Sequence, residues 1–330
     1  MQLLAHLKLQ VSKTRPMNKW CLLPCLVLAA FGMKAQQLSL FTQYRENATL
    51  INPAAMESDF LATGSNLTFG ASYRAQWVGL SGGPRTQTFR GSYVNTEFSG
   101  VTFLAGGHLI NDRTGPTGFT GLYGRIGGII GGDPEYSGLA FALTGGLVQF
   151  RVDADKVSLR DPGDVVGSQD QTQLFPDVGL GVYYYQTVGD GNMFYTGLSV
   201  PQVFGLDLTF QDENGDFFIK RVQHIYGMAG YYKFFDNDSY LETSMWLKYA
   251  GGAPINADLN LRYQTPSSIW LGAGVSTGSN FHLDAGFFLG DNAGLDNIIK
   301  VGYGFDYSFS SFGPTAGSTH EINLTFSFER

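Results

Sequence analysis

From Asn66 onward, apolar and polar residues alternate with a period of two. Val301, Tyr303, Phe305, Tyr307 and Phe309 are interleaved with Gly302, Gly304, Asp306, Ser308 and Ser310. Ile322, Leu324, Phe326 and Phe328 alternate in the same way with Glu321, Asn323, Thr325 and Ser327. Leu241 to Tyr249 and Val178 to Tyr185 repeat the pattern. Strict alternation predicts strands whose two faces meet different surroundings. Fourteen candidate strands follow, at 66–76, 87–96, 100–111, 117–127, 137–151, 177–187, 191–200, 220–233, 239–249, 255–264, 268–276, 280–290, 296–308 and 318–328. Most are longer than the usual globular strand of about 5 to 6 residues and reach the 9–11 that a tilted strand needs to cross a bilayer.

The connections carry the same message. Counting from an N-terminus on the inner side, the two longest loops, 152–176 and 201–219, fall on the outer side, and short turns such as Thr187 to Gly191 fall on the inner side. Short inner turns and longer outer loops distinguish outer-membrane barrels. A soluble β-sandwich would also bury one face of each strand, but strands this uniformly long favour the bilayer. The expectation is an all-β, transmembrane antiparallel β-barrel of about 14 strands over 66–330, preceded by a segment, 36–65, that lies in the periplasm or plugs the barrel.

The N-terminus reads as an export signal over 1–35. Lys8, Lys13, Arg15 and Lys19 precede the apolar run Trp20 to Met33, and Ala35 offers a small residue for cleavage; Met17 is an alternative start. Positive, apolar, small is the secretory order, and the run is short for a membrane helix. Both cysteines, Cys21 and Cys25, lie in this signal, so the processed chain has neither disulfides nor thiol chemistry. Removing the signal takes away 5 of the 21 Lys and Arg and no carboxylate, leaving 16 against 28 and a net charge of −12. An acidic exported chain is a poor match for nucleic acid. The 44 Gly and 47 aromatics (26 Phe, 17 Tyr, 4 Trp) suit strands, turns and a lipid-facing coat.

Candidate chemistry is sparse. His108, His224, His282 and His320 show no metal-ligand spacing, and the Gly-rich stretch Gly121 to Gly132 lacks the Lys-Ser/Thr of a phosphate loop. No Ser/His/Asp or metal constellation marks an enzyme, and no cofactor is expected. The loop 152–177 gathers Asp153, Asp155, Asp161, Asp164, Asp170 and Asp177. Clustered carboxylates are the material of Ca²⁺ sites, but this spacing matches no ligand loop and reads as a solvated acidic surface. Glu242, Lys248, Asp258, Asp284 and Asp306 point inward, to line a pore or brace the lumen, while inward Tyr183, Trp246 and Phe288 favour a filled interior.

Several short motifs recur in order along the chain. They are Gln43-Tyr44 with Ile51-Asn52-Pro53-Ala54; Tyr73-Arg74-x-Gln76-Trp77-Val78-Gly79 with Gly82, Pro84 and Thr86-Gln87-Thr88; Asn111-Asp112-Arg113-Thr114-Gly115-Pro116; Gln149-Phe150-Arg151-x-Asp153; Pro176 to Gly179; Gly197 to Gln202; and Gly317-Ser318-x-His320-Glu321. Together they resemble the PorP/SprF family, the outer-membrane barrels associated with the type IX secretion system of Bacteroidota. Arg45 to Ala48 and Pro53 to Met56 depart from the family's pattern, so the packing of the N-terminal segment is not carried over. The resemblance implies an accessory barrel of the secretion or gliding machinery. Its implied partners are type IX components and, in some members, a secreted adhesin engaged through its C-terminal domain; its surroundings are the outer-membrane lipid bilayer and lipopolysaccharide.

On the strand map, Arg74, Gln76, Trp77, Asn111, Asp112, Arg113, Arg151, Asp153, Gln202, His320 and Glu321 fall at or beside outer loops. Aromatic and Arg residues concentrate binding energy, which makes these the candidate partner-binding set. Gln43, Tyr44, Asn52 and Pro53 are the candidate plug motif. Two other readings stay open: Arg113 and Arg151 order their own loops by pairing with Asp112 and Asp153, or the barrel is a passive channel for small solutes.

Overall fold

A computed structural model describes residues 41–96, 101–157, 170–204, 207–212, 215–220, 222–290, 293–310 and 313–329. The strands are β1 (Leu67–Ala75), β2 (Arg85–Val94), β3 (Thr102–Thr114), β4 (Thr117–Ile130), β5 (Ser137–Val152), β6 (Gln171–Val188), β7 (Asn192–Val200), β8 (Asp207–Asp212), β9 (Gly215–Lys220), β10 (His224–Phe234), β11 (Tyr240–Ala250), β12 (Asn256–Gln264), β13 (Ile269–Ser276), β14 (Asn280–Leu289), β15 (Ile298–Ser308) and β16 (Thr319–Phe328). Fourteen of them, all but β8 and β9, form a closed antiparallel barrel. The seam joins the first strand to the last, from Leu67 opposite Phe328 to Ala75 opposite His320.

Burial along the strands is inverted relative to a water-soluble protein. Outward-facing Leu122 and Leu198 are each 65% exposed, while inward-facing Arg90 and Glu321 are fully buried. Phe69, Phe89, Leu174, Leu259, Leu271 and Ile322 share the outward face with Leu122, and Thr68, Ser72, Glu242 and Lys300 share the inward one. An apolar coat around a polar interior is stable only where lipid surrounds the barrel. β1 shows how sequence produces this: Phe69, Ala71 and Tyr73 turn outward, and Thr68, Gly70, Ser72 and Arg74 turn inward.

Two local expectations are corrected. β6 starts at Gln171 rather than near 177, and so runs through Pro176. Pro176 pairs only with Leu147 of β5, because β7 does not begin pairing until Leu180, so the missing N–H costs no ladder bond on a second side. The stretch expected as one long loop and the start of a strand near 220 contains a separate two-stranded sheet, β8 with β9, and β10 begins at His224. Its two strands pair from Asp207 opposite Lys220 to Asp212 opposite Gly215. The expected signal, 1–35, lies outside the described residues.

Residues 41–64 run among the inward side chains. They include two short helices, α1 (Ala48–Ile51) and α2 (Ser58–Thr63), the latter ended by Gly64 at φ 78°. Tyr44 stacks on Trp246 with centroids 5.4 Å apart, and Phe60 meets Tyr185 edge-on at 6.0 Å. Arg45 donates to Glu242 at 2.7 Å and lies over the Tyr195 ring. Glu46 accepts from Arg262 at 2.7 Å and lies 3.1 Å from the Lys300 ammonium, which also donates to Asp59 at 2.7 Å. Arg125 donates to the carbonyls of Pro53 and Ala55. Asn52 donates to the carbonyls of Val182 and Leu198 on β6 and β7. Beside it, a Cβ on Gly197 would come within 2.7 Å of Asn52 Nδ2, so that strand passes close only because it carries no side chain there.

Candidate docking rim at the outer mouth

The connections β1–β2, β3–β4, β5–β6, β7–β10 and β15–β16 open on the side with the longer loops, opposite the strand ends Leu67 and Phe328. Four of them are hydrogen-bonded into one surface. Val78 N–H donates to Ser318 O at 3.0 Å and Gly79 N–H to Ala316 O at 3.0 Å. Gly115 N–H donates to Gly82 O at 2.9 Å, and Asp153 N–H to Pro116 O at 2.8 Å. Gly317 allows one close approach: its φ is 80°, and a Cβ there would meet Gly79 N at 2.7 Å. Trp77 is half-buried, with its own backbone in the left-handed region at φ 54°, and its N–H donates to Thr319 Oγ1 at 3.3 Å. Val78 beside it is 54% exposed.

The sequence candidates separate into five groups. Arg74 and Glu321 face inward and hold the N-terminal segment. Arg74 donates to Asp306 at 2.6 Å, Thr42 N–H and Gln43 N–H donate to Glu321 at 2.7 and 3.3 Å, and Gln76 accepts from Arg74 at 2.8 Å. Asp112 accepts from Thr86 at 2.6 Å, and Asn111 bridges Gln87 and Thr120 across three strands, so both stiffen the strand ends. His320 faces outward, its Nδ1 2.6 Å from the Tyr303 hydroxyl. Gln202 is buried beside a cavity of about 60 Å³ lined by Phe41, Phe119 and Tyr226.

Trp77, Arg113, Arg151 and Asp153 remain on the outer surface. Arg113 is exposed and takes part in no ion pair among the described residues. Arg151 pairs with Asp153 and with Asp170, and Lys156 donates to Asp153 at 2.6 Å. Lys156 and Arg151 hold the Asp153 carboxyl below the usual carboxylate range. These charges are open to water, where ion pairs contribute little, so Asp153→Ala is expected to leave the heat-induced mobility shift of the barrel at its wild-type temperature. Among the described residues no group of three or more His, Cys, Asp or Glu is placed to hold a metal; Asp161 and Asp164 lie outside them.

A model of the family described as "Type IX secretion system membrane protein PorP/SprF" matches residues 33–326. The chain belongs to the PorP/SprF family. It is therefore an outer-membrane barrel of the type IX secretion system, among whose components its partners are found. The PorP/SprF barrel is similar to the toluene transporter TbuX of Ralstonia pickettii at 8% identity and TM-score 0.50, over 85% of this chain and 92% of that one. It is also similar to a TodX monoaromatic hydrocarbon channel carrying the deltaS2S3 mutation, at 14% identity and TM-score 0.50, over 86% and 94%. At these identities the likeness shows the fold alone. No curated protein matches the sequence. The rim gives the PorP/SprF motifs a physical meaning: Trp77-Val78-Gly79, Gly82, Gly115-Pro116, Asp153 and Gly317-Ser318 are the positions whose backbones join the loops.

Signals for most of these placements were present in the sequence. Arg74 shares the parity of Ser72 and Thr68, and Glu321 that of Asn323 and Thr325, so both belong to the inward face. His320 shares the parity of Ile322 and Leu324 and belongs outside. Arg45 and Glu46 carried no such signal, because their partners Glu242, Arg262 and Lys300 lie on three distant strands.

Proposed function

We propose that this barrel is a non-enzymatic docking platform. Its outer rim receives an exported partner protein, adhesin-like and engaged through its C-terminal domain, while residues 41–64 seal the lumen. The observation that carries this reading is the rim itself, where loops distant in sequence are joined into one surface presenting Trp77, exposed Val78 and Arg113. A half-buried aromatic and an exposed guanidinium on one joined surface are the composition of an interface hot spot. Pre-joined loops lose little further freedom on binding, which favours affinity. The set proposed to meet the partner is Trp77, Val78 and Arg113, with Arg151 and Asp153 at the edge. The lumen supports the sealing role. Trp246, Trp270, Tyr183, Tyr195 and Tyr232 are fully buried there, several of them against the N-terminal segment.

Trp77→Ala and Arg113→Ala are each expected to weaken partner retention by about 2 kcal/mol, roughly 30-fold. Crosslinking in native membranes followed by co-purification measures this, with heat-modified gel mobility confirming an assembled barrel. Unchanged retention in both assembled variants would sink the docking role. Conductance separates the platform from the solute channel: the purified barrel in a planar bilayer is expected to be silent, whereas a large steady current would assign it as a pore.

A further inference from the structure

The outward face of the wall carries a row of arginines at its outer end. Arg85, at the start of β2, lies directly opposite Arg113 on β3; Arg113 lies opposite Gly118 on β4, and Gly118 opposite Arg151 on β5. Residues directly opposite in an antiparallel pair share a face, and all three arginines are exposed. Gly118 keeps the space between Arg113 and Arg151 free of a side chain; a Cβ there would meet Arg113 Cγ at 3.4 Å. Like charges directly opposite each other destabilise a sheet. Arg151 is held by Asp153 and Asp170, but among the described residues neither Arg85 nor Arg113 takes part in an ion pair. The uncompensated charge therefore centres on Arg85 and Arg113.

Two further rows lie beneath it on the same face. Gln87, Asn111, Thr120 and Gln149 are opposite one another in turn, with Asn111 donating to Gln87 at 3.1 Å and Thr120 to Asn111 at 3.0 Å. Below them stand Phe89, Leu109, Leu122 and Leu147, all exposed. Along β5 the outward residues from Leu147 to Leu139 are apolar or Gly. They cover about 26 Å of strand, which at the usual tilt accounts for most of an apolar band roughly 25 Å tall. The polar row and the arginines therefore stand just above the hydrocarbon, at the level of the lipid headgroups.

We propose that this wall binds a phosphorylated lipid of the outer leaflet, with its phosphate between Arg85 and Arg113 and its acyl chains on Phe89, Leu109, Leu122 and Leu147. Guanidinium forks match phosphate oxygens in bidentate fashion, and an anion between the two removes their repulsion. A phosphate alone would satisfy only the arginines. A phosphorylated lipid meets all three rows at once, its headgroup hydroxyls facing the amides and its chains the apolar row. The site faces the membrane, whereas the docking rim faces the water above it. Arg113 stands where the two surfaces meet, and Arg85 belongs to the lipid-facing wall, so the proposal stands whether or not the rim docks a partner.

The test titrates the full-length barrel, purified in mild detergent, with phosphorylated lipid A, with the same lipid stripped of its phosphates, and with inorganic phosphate, and reads bound lipid by native mass spectrometry. The wild type is expected to retain the phosphorylated lipid. Removing the phosphates, or combining Arg85→Gln with Arg113→Gln, is expected to weaken retention by at least about tenfold, and millimolar inorganic phosphate is expected not to displace the lipid. Heat-modified gel mobility confirms an assembled barrel. Arg85→Gln alone is expected to lose part of the retention, which keeps the test if the paired substitutions prevent assembly. Equal retention of the two lipids by the wild type, or unchanged retention in the assembled variants, overturns the proposal. Displacement by inorganic phosphate also overturns it and assigns the arginine pair to a free anion. No exported partner is present in this measurement, so its failure leaves the docking role standing.

Discussion

Replacing Glu46 with alanine is expected to loosen the N-terminal segment from the wall while leaving the strand ladder closed. Glu46 is almost fully buried and serves two cations, Arg262 at 2.7 Å and Lys300 at 3.1 Å. It also accepts from the Ser58 hydroxyl at 3.1 Å, which ties α1's approach to α2. Removing one member of a buried ion pair costs about 3–5 kcal/mol, because the other charge stays desolvated. Arg262 keeps Asp284 and Lys300 keeps Asp59, so the lower end, about 3 kcal/mol, is expected here. The readouts are a lower temperature for the heat-induced gel shift and the appearance of current through a barrel that is expected to be silent as wild type. Glu46→Gln, which retains hydrogen-bonding atoms and removes only the charge, should fall between the two. Wild-type melting and continued silence in Glu46→Ala would show that the segment is held by something other than this cluster.

Gly181→Leu should act at the other side of the lumen, by volume. A Cβ at Gly181 would overlap Asn52 Oδ1 and stand 3.0 Å from Ala54 N, with no empty space to take it. Asn52 is fully buried and makes three bonds there, two as donor to Val182 O and Leu198 O and one as acceptor from Ala54 N–H at 2.9 Å. Overpacking costs about 1–3 kcal/mol, and displacing Asn52 adds the cost of leaving buried polar groups unpaired, about 1–3 kcal/mol. Asn52→Ala alone loses the bonds but opens room. The double variant should therefore be less destabilised than the two single effects added together, the signature of groups in contact. Simple additivity in thermal melts would mean that Gly181 and Asn52 do not meet.

The two variants probe the parts of the molecule that differ most in how far the sequence revealed them. The strands were legible because alternation is local: each of the fourteen barrel strands declares itself within ten or so residues, and the closed ladder follows from their number and length. The face of each residue was legible from parity, which is why Arg74 and Glu321 could have been assigned to the interior although their height on the strand suggested the mouth. The hairpin of β8 and β9 fell inside a stretch that reads as a single outer loop, because its strands are short and lie apart from the barrel ladder. The N-terminal segment was the least legible. Asn52-Pro53 stood out as part of the candidate plug motif, but the partners of Arg45, Glu46 and Asn52 are 130 to 254 residues away in sequence. No periodicity records such pairings; they depend on which strands the closed ring brings around the segment. The rim was intermediate: its glycines stood out as motifs, and only the closed barrel gives them a reason.

The seam between β1 and β16 restricts how the N-terminal segment can reach its place. Both strands bond to the segment that precedes β1, through Ser72 to Asn47 on one side and through Glu321 and Ser327 to Thr42 and Asp59 on the other. Once Leu67 to Ala75 have paired with His320 to Phe328, the wall is continuous and the segment has no sideways way in. Any sideways entry of the segment therefore precedes the pairing of the last strand. In that order of events the segment stands where a mandrel would, with bonds to both strands that match the register in which they close.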